Sequence, residues 1–378
     1  MTEVNPEQTT SSTQQAFEAA AGLADATLPY EIRAEMEWTD FSNTANPLGT
    51  PSRVRDAIQA AIASGTLSFV PNRAGEHLAG ILARYYEYPA DSFLPGTSVS
   101  AMIAMVAQAF KPCNVAIPCP APAEYFLAVS GVGHVPVKAV NPYSCTTAPP
   151  HVIDTFGRAF DGAVLANPSF PTARVLSEET LRHYLDACKW VVVDESHINL
   201  TMGGESFARL TREYENLLIV RSLSEELGMP GIPLGYVVGN PAMVKNIRQF
   251  TDGTSIGMFH EVVARELPSI EEYMESTARY LEQEIPWMQC RLSLIPGIDV
   301  SPSESNYVMC GLKNTSREGT PRTVTELEIR LQKAGFAVCN LRHVPGIEGD
   351  RFFVTSIRSH QENERFIKAL REVMTSWG

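Results

Sequence analysis

The chain has 378 residues, a formal net charge of −13, 44% hydrophobic residues and 19% charged residues. That balance excludes a largely disordered or collagen-like chain, and scattered basic residues on an acidic background argue against a nucleic-acid partner. No run of about 18 apolar residues occurs, and the polar start MTEVNPEQTTSSTQQ lacks the apolar core of a secretory signal. A cytoplasmic protein without a membrane segment is expected.

Residues 1–28, rich in Thr, Ser, Gln and Ala, read as a tail. Residues 29–60 are expected to pack with a small domain, 61–265 to form a large domain, and 266–378 to form the small C-terminal domain. Asn46-Pro47-Leu48-Gly49-Thr50-Pro51 is turn-rich. Pro51 opens a helical pattern, SRVRDAIQAAIAS, that Gly65 closes, and GEHLAGILARYY gives a second amphipathic helix. Then come apolar runs at Val115–Ile117, Ala163–Ala166, Val191–Asp194, Leu217–Val220 and Tyr236–Val238. Helical patterns lie between several of them, including SEETLRHYLDAC and ESFARLTREY. Short β-branched runs alternating with helices predict a mainly parallel sheet, with ligands bound beyond the carboxyl ends of its strands. After a long helical stretch from about residue 260, Asn306–Gly311 and Arg351–Ile357 read as strands and ERFIKALREVMTSW as a last helix. The 7 cysteines are odd in number and form no CxxC, which predicts reduced thiols and no zinc site. Cys119 reads as a buried thiol, with no histidine near it in sequence.

Six segments in order carry a resemblance: NPLGTP, GTSVSAM, CPAPAEY, ANPSFPT, VVVDESH and RSLSEELGMPGIPLGY. Over roughly residues 40–375 the chain resembles the fold-type I pyridoxal-phosphate enzymes, in particular the histidinol-phosphate aminotransferase and threonine-phosphate decarboxylase group. The resemblance implies an α/β fold with a mainly parallel seven-stranded sheet in a large domain and a small α+β domain. It also implies a homodimer acting on a small molecule. In that family a lysine forms the Schiff base, an aspartate pairs with the pyridinium nitrogen, and a helix start with serines and an arginine holds the phosphate.

Carried over residue by residue, Asp194 is the ring-nitrogen partner, and Thr97, Ser98, Ser222 and Ser224 keep part of the phosphate cup. The other positions depart from the pattern. Glu225 stands for the Schiff-base lysine and Pro233 for the phosphate arginine. Phe170, in the loop after Asn167, stands for the asparagine at the ring hydroxyl, and His197 for the tyrosine. Pro122 stands for the stacking aromatic, with Tyr125 close enough to substitute. Val354 stands for the carboxylate arginine, with Arg351 and Arg358 nearby.

Glu225 reads either as a general acid or base in the cleft or as a solvated glutamate starting a helix. Asp194 and His197 read as a carboxylate–imidazole pair, or His197 as a filler of the tyrosine's space. A metal held by these two with Glu225 lacks the further histidines such sites use, so no metal is expected. The expected catalytic residues are Glu225, His197 and Asp194. The expected ligand contacts are Thr97, Ser98, Tyr125, Asn167, Phe170, Ser222, Ser224 and Arg358. No cofactor is expected, with pyridoxamine or pyridoxal phosphate held non-covalently as the alternative. Function then divides three ways: a repurposed enzyme doing acid–base chemistry on a small amino-acid-derived or anionic substrate, a non-covalent user of the cofactor, or a non-catalytic partner subunit.

Overall fold

The computed structural model describes residues 39–65, 68, 74–139, 160–251, 256–313 and 322–377. The tail at 1–28 and Cys145 lie outside them. In chain order the elements are β1 (Thr39–Asp40), α1 (Ser52–Ala63), α2 (Ala74–Tyr86), β2 (Phe93–Gly96), α3 (Val99–Gln108), β3 (Asn114–Pro118), α4 (Ala123–Ser130) and β4 (Val135–Ala139). Next are β5 (Gly162–Ala166), α5 (Glu178–Ala187), β6 (Trp190–Asp194), β7 (Leu217–Ser222), the one-turn α6 (Leu223–Glu226), β8 (Gly235–Gly239), α7 (Pro241–Arg248) and α8 (Met258–Glu266). The chain continues through α9 (Glu271–Ser293), β9 (Ile298–Val300), β10 (Tyr307–Leu312), α10 (Val324–Lys333), β11 (Phe336–Ala337), β12 (Cys339–Asn340), β13 (Phe352–Ser356) and α11 (His360–Ser376).

The large sheet runs β2-β8-β7-β6-β5-β3-β4. Its strands are parallel except β8, which pairs antiparallel with both β2 and β7. Successive residues alternate between two buried faces. Val191, Val193, Leu217 and Ile219 pack with Leu78, Leu82, Leu181 and Val263 from α2, α5 and α8. Val192, Leu218 and Val220 pack with Met102, Ile103, Val106 and Val129 from α3 and α4. Burial on both faces is what makes these strands continuous apolar runs.

The segment ESFARLTREY is a 3-10 turn over Phe207–Arg212 rather than the expected α-helix. Its start is pinned: Ser206 Oγ donates to Glu195 Oε2 at 2.5 Å and Phe207 N to Glu195 Oε1 at 2.7 Å. A fixed entry of this kind favours the tighter turn over a short stretch.

A second sheet, β12-β13-β10-β9, is antiparallel and packs on α9, α10 and α11 through Leu281, Leu327, Leu331 and Phe366. β1 pairs with β11, and Phe41 stacks on Phe366 with centroids 4.3 Å apart. From there residues 41–50 cross to the large sheet. Asn46 N donates to Glu225 O and Asn46 Nδ2 to Glu226 O, both at 2.9 Å. Thr50 Oγ1 donates to Gly228 O at 2.9 Å, and Tyr273 Oη to Gly49 O at 2.6 Å.

Gly228 makes this crossing possible. Its φ is +60°, and a Cβ there would sit 2.8 Å from the Gly49 carbonyl carbon. Gly49 itself has φ +70° but open space around it. Gly49→Ala should therefore cost only the backbone strain, about 1–2 kcal/mol. Gly228→Ala adds a backbone collision and should cost about 2–4 kcal/mol in urea unfolding. Equal losses at the two sites would show that the contact carries no energy.

Candidate active site

The sheet register lines up the strand ends that carry the candidate residues. Gly96 and Ser222 both lie opposite Gly235, Asp194 lies opposite Val220, and Ala166 lies opposite Asp194. Thr97 and Ser98 follow β2, Asn167 follows β5, and Glu225 sits in α6 directly after β7.

Asp194 ends β6 with its carboxyl buried. Its Oδ1 accepts from Ser196 N at 2.8 Å, and Tyr125 Oη donates to Oδ2. Burial pushes this carboxyl above the usual range, with Tyr125 and Ser196 pulling it back. Tyr125 thus serves as a hydrogen-bond partner of the carboxyl. Asn167 braces the loop beside it: its N donates to Asp194 O at 2.7 Å, and its Oδ1 accepts from Leu176 N at 3.0 Å.

His197 has a hydroxyl at each ring nitrogen. Ser196 Oγ lies 3.0 Å from Nδ1 and Thr44 Oγ1 lies 2.9 Å from Nε2. The ring meets Tyr307 edge-on at 5.6 Å. Burial pushes the imidazole down to about 4, so it is neutral at pH 7.

Glu225 Oε2 lies 3.8 Å from His197 Nε2, with its side chain 25% exposed. Burial, then the negative charges of Asp194 and Glu124, push its carboxyl up to about 7. The adjacent glutamate turns the other way. Glu226 is buried against Arg221 at 3.6 Å and accepts from Asn199 Nδ2 at 2.7 Å. One face of α6 therefore addresses the cleft and the other a buried ion pair.

The other candidates make contacts within the protein. Ser224 Oγ donates to Ile232 O and accepts from Leu234 N, both at 2.7 Å, closing its own turn. Ser222 Oγ accepts from Glu225 N at 3.4 Å, and Ser98 Oγ from Ala101 N at 3.3 Å, as N-caps. Arg358 faces Glu362 at 3.7 Å. Phe170 packs on Tyr307 at 5.6 Å, in an apolar cluster that also contains Val354, Ala173 and Val344. Between Phe170, Pro122 and Tyr125 the space left is about 10 Å³, enough for one water at most. Burial pushes the Cys119 thiol up to about 11, so it is not a poised nucleophile. Thr44, Ser196 and Glu124 were not anticipated from sequence. Thr44 is 153 residues from His197, and only the fold brings them together.

The model of the family described as aminotransferase class I and II matches residues 36–370. A putative threonine-phosphate decarboxylase of Caldanaerobacter subterraneus subsp. tengcongensis is 28% identical over 334 residues, covering 86% of this chain and 88% of the relative. The crystal structure of L-threonine-O-3-phosphate decarboxylase from Porphyromonas gingivalis is similar with a TM-score of 0.78 at 20% identity, covering 89% of this chain and 99% of that one. Histidinol-phosphate aminotransferase from Sinorhizobium meliloti, solved in complex with pyridoxal-5'-phosphate, gives a TM-score of 0.75 at 16% identity, covering 90% and 92%.

These findings overturn the expectation that no cofactor is needed: the match is to a cofactor-using family across nearly the whole chain, and a fold neighbour holds pyridoxal-5'-phosphate. The donor set here agrees in part. Tyr125 and Ser196 donate to the Asp194 carboxyl, and a carboxylate has about four acceptor sites, so a protonated ring nitrogen can still be received. The α3 start, where Ser98 Oγ caps Ala101 N, presents a helix N-terminus of the kind that receives a phosphate. The lysines, Lys111, Lys138, Lys189, Lys245, Lys313, Lys333 and Lys368, are all exposed. Among the described residues no helix is long and apolar enough to cross a membrane. The chain belongs to the aminotransferase class I and II family.

Proposed function

We propose that this chain holds pyridoxamine phosphate without a lysine anchor and uses Glu225 for proton transfer at the carbon bearing the cofactor's amine. The observation that carries the reading is Glu225 Oε2 lying 3.8 Å from His197 Nε2, three residues beyond Asp194, while all seven lysines are exposed. The resemblance places Glu225 where the family has its lysine. Lys189 and Lys313 are engaged with Asp161 at 2.8 Å and Asp299 at 3.1 Å. Charge complementarity selects the aminated form. Asp194, Glu225 and Glu124 influence one another, while the nearby imidazole is neutral. An ammonium group suits that field better than an aldehyde does.

Asp194 would hold the ring nitrogen, and the α3 start at Thr97–Ser98 the phosphate. When bound, the group supplies an electron-accepting ring. Glu225, ionised above about pH 7, would serve as the base for a proton at the amine-bearing carbon. His197 stays uncharged and adds no repulsion toward an ammonium group. Val354 and Phe170 make the neighbouring wall apolar, so the substrate that fits is small and presents an apolar flank there. The family resemblance supports a homodimer as the working form.

Equilibrium dialysis against pyridoxamine phosphate and pyridoxal phosphate, followed by borohydride treatment and intact-mass measurement, tests this. The expected result is retention of the aminated form, release on denaturation and no stoichiometric mass gain. Asp194→Asn should weaken retention about 10- to 100-fold, the worth of a charge-assisted hydrogen bond. Retention of neither form, or a stoichiometric covalent adduct, would overturn the reading.

A further inference from the structure

We infer that Thr44 is a positioning residue: its hydroxyl holds the His197 imidazole off the Glu225 carboxyl and fixes which ring nitrogen carries the proton. The inference rests on the reading of Glu225 as the proton-transfer group only for its catalytic meaning. Its geometry stands on contacts already described.

His197 Nε2 has two oxygen neighbours. Thr44 Oγ1 is at 2.9 Å, a hydrogen bond, and Glu225 Oε2 is at 3.8 Å, beyond one. Taken alone, the hydroxyls of Thr44 and Ser196 permit either tautomer, because each can donate or accept. The Glu225 carboxylate breaks that symmetry. A negative charge near Nε2 favours the proton on that nitrogen, so Nε2–H donates to Thr44 Oγ1 and Ser196 Oγ–H donates to Nδ1.

Thr44 is held independently of the imidazole. Asn306 Nδ2 donates to Thr44 O, and Ile357 N donates to Asn306 O at 2.7 Å. Two residues on, Asn46 N donates to Glu225 O at 2.9 Å. One short segment thus fixes both partners, His197 through a side chain and Glu225 through its backbone. Without the Thr44 hydroxyl, Nε2–H loses its acceptor, and the nearest replacement is Glu225. A hydrogen bond there would stabilise the ionised carboxyl and lower its proton affinity. The other groups bearing on this pair are Asp194 with its Tyr125 donor, Glu124, and the Tyr307 ring. None of them replaces Thr44 as an acceptor for Nε2.

The test uses the full chain without added cofactor. Nitrogen-15 NMR reports the His197 tautomer, and isotope-edited infrared titration, assigned with Glu225→Gln, reports the Glu225 carboxyl. The expected wild-type result is the Nε2–H tautomer and a carboxyl midpoint near neutrality. Thr44→Val should lower that midpoint by one pH unit or more, a tenfold loss of proton affinity. Thr44→Ser, which keeps the hydroxyl, should leave it in place. Thr44→Ala serves if the valine variant does not fold. An unchanged midpoint and tautomer in a folded variant lacking the hydroxyl would overturn the inference. Because no cofactor takes part, that failure is separate from a failure of the dialysis experiment.

Discussion

Glu225→Gln is expected to raise stability at pH 8 while lowering turnover by about 10²- to 10⁴-fold, the usual worth of a positioned acid or base. Burial pushes the Glu225 carboxyl up to about 7 from its ordinary value of 4.5. Between those values the folded state holds a proton that the unfolded state has released. Folding stability therefore falls as pH rises through this window, and levels off above about pH 7. The full shift corresponds to a penalty of about 3–4 kcal/mol at pH 8. Glutamine carries no charge and escapes the penalty. Urea midpoints of both proteins at pH 5 and pH 8 should show a gain of that order at pH 8 and a smaller one at pH 5. A glutamate with a purely structural role gives the opposite sign, since its removal loses contacts. Such a loss at pH 8 would remove the physical basis for Glu225 as a neutral-pH base. The same titration predicts that wild-type turnover rises with pH through about 7, because the base works ionised.

The central strands were legible because parallel strands buried on both faces must be continuous apolar runs. The edge strands were not. β2 reads Phe93-Leu94-Pro95-Gly96 and β4 reads Val135-Pro136-Val137-Lys138-Ala139, and both occupy the ends of the sheet order. Proline and exposed lysine are tolerated at an edge and mask the pattern. The start of α11 at His360 lies four residues before the expected ERFIKALREVMTSW, although Ser359 and Glu362 form a capping box with the S-x-x-E spacing that carries the signal. The cleft was legible where a single strand end carries it: Asp194 and His197 follow β6 closely, and Glu225 follows β7. It was not legible where partners come from afar. Nothing near His197 in sequence points to Thr44, and only its place in the RSLSEELGMPGIPLGY segment separates Glu225 from Glu226. In the fold Arg221 and Asn199 make the distinction, claiming Glu226 from behind. Phe170 and Val354 lie far apart in sequence, yet they fall in one apolar cluster.

Arg221→Met should destabilise the fold by about 3–5 kcal/mol, the cost of leaving buried carboxylates without their cation. Arg221 is 7% exposed in its side chain and lies 3.7 Å from Glu195 and 3.6 Å from Glu226, which are themselves 0% and 6% exposed. Those glutamates directly follow Asp194 and Glu225 respectively, so the ion network forms the floor beneath the cleft. Burial pushes the Glu195 carboxyl up, and Arg221 is the first force holding it down, ahead of Ser206 and Phe207. Without Arg221 the folded state binds protons at Glu195 more tightly than the unfolded state does. The variant's stability should then fall as pH rises from about 5 to 8, so its deficit against wild type is larger at pH 8. Urea unfolding of both proteins at the two pH values measures this. Adding Glu226→Gln to the variant should recover part of the loss, because one uncompensated charge is removed while an acceptor for Asn199 remains. A deficit below about 1 kcal/mol, or one independent of pH, would mean that the network contributes packing rather than charge compensation. The alignment of the cleft carboxyls would then have to come from the strand ends and the 41–50 segment alone.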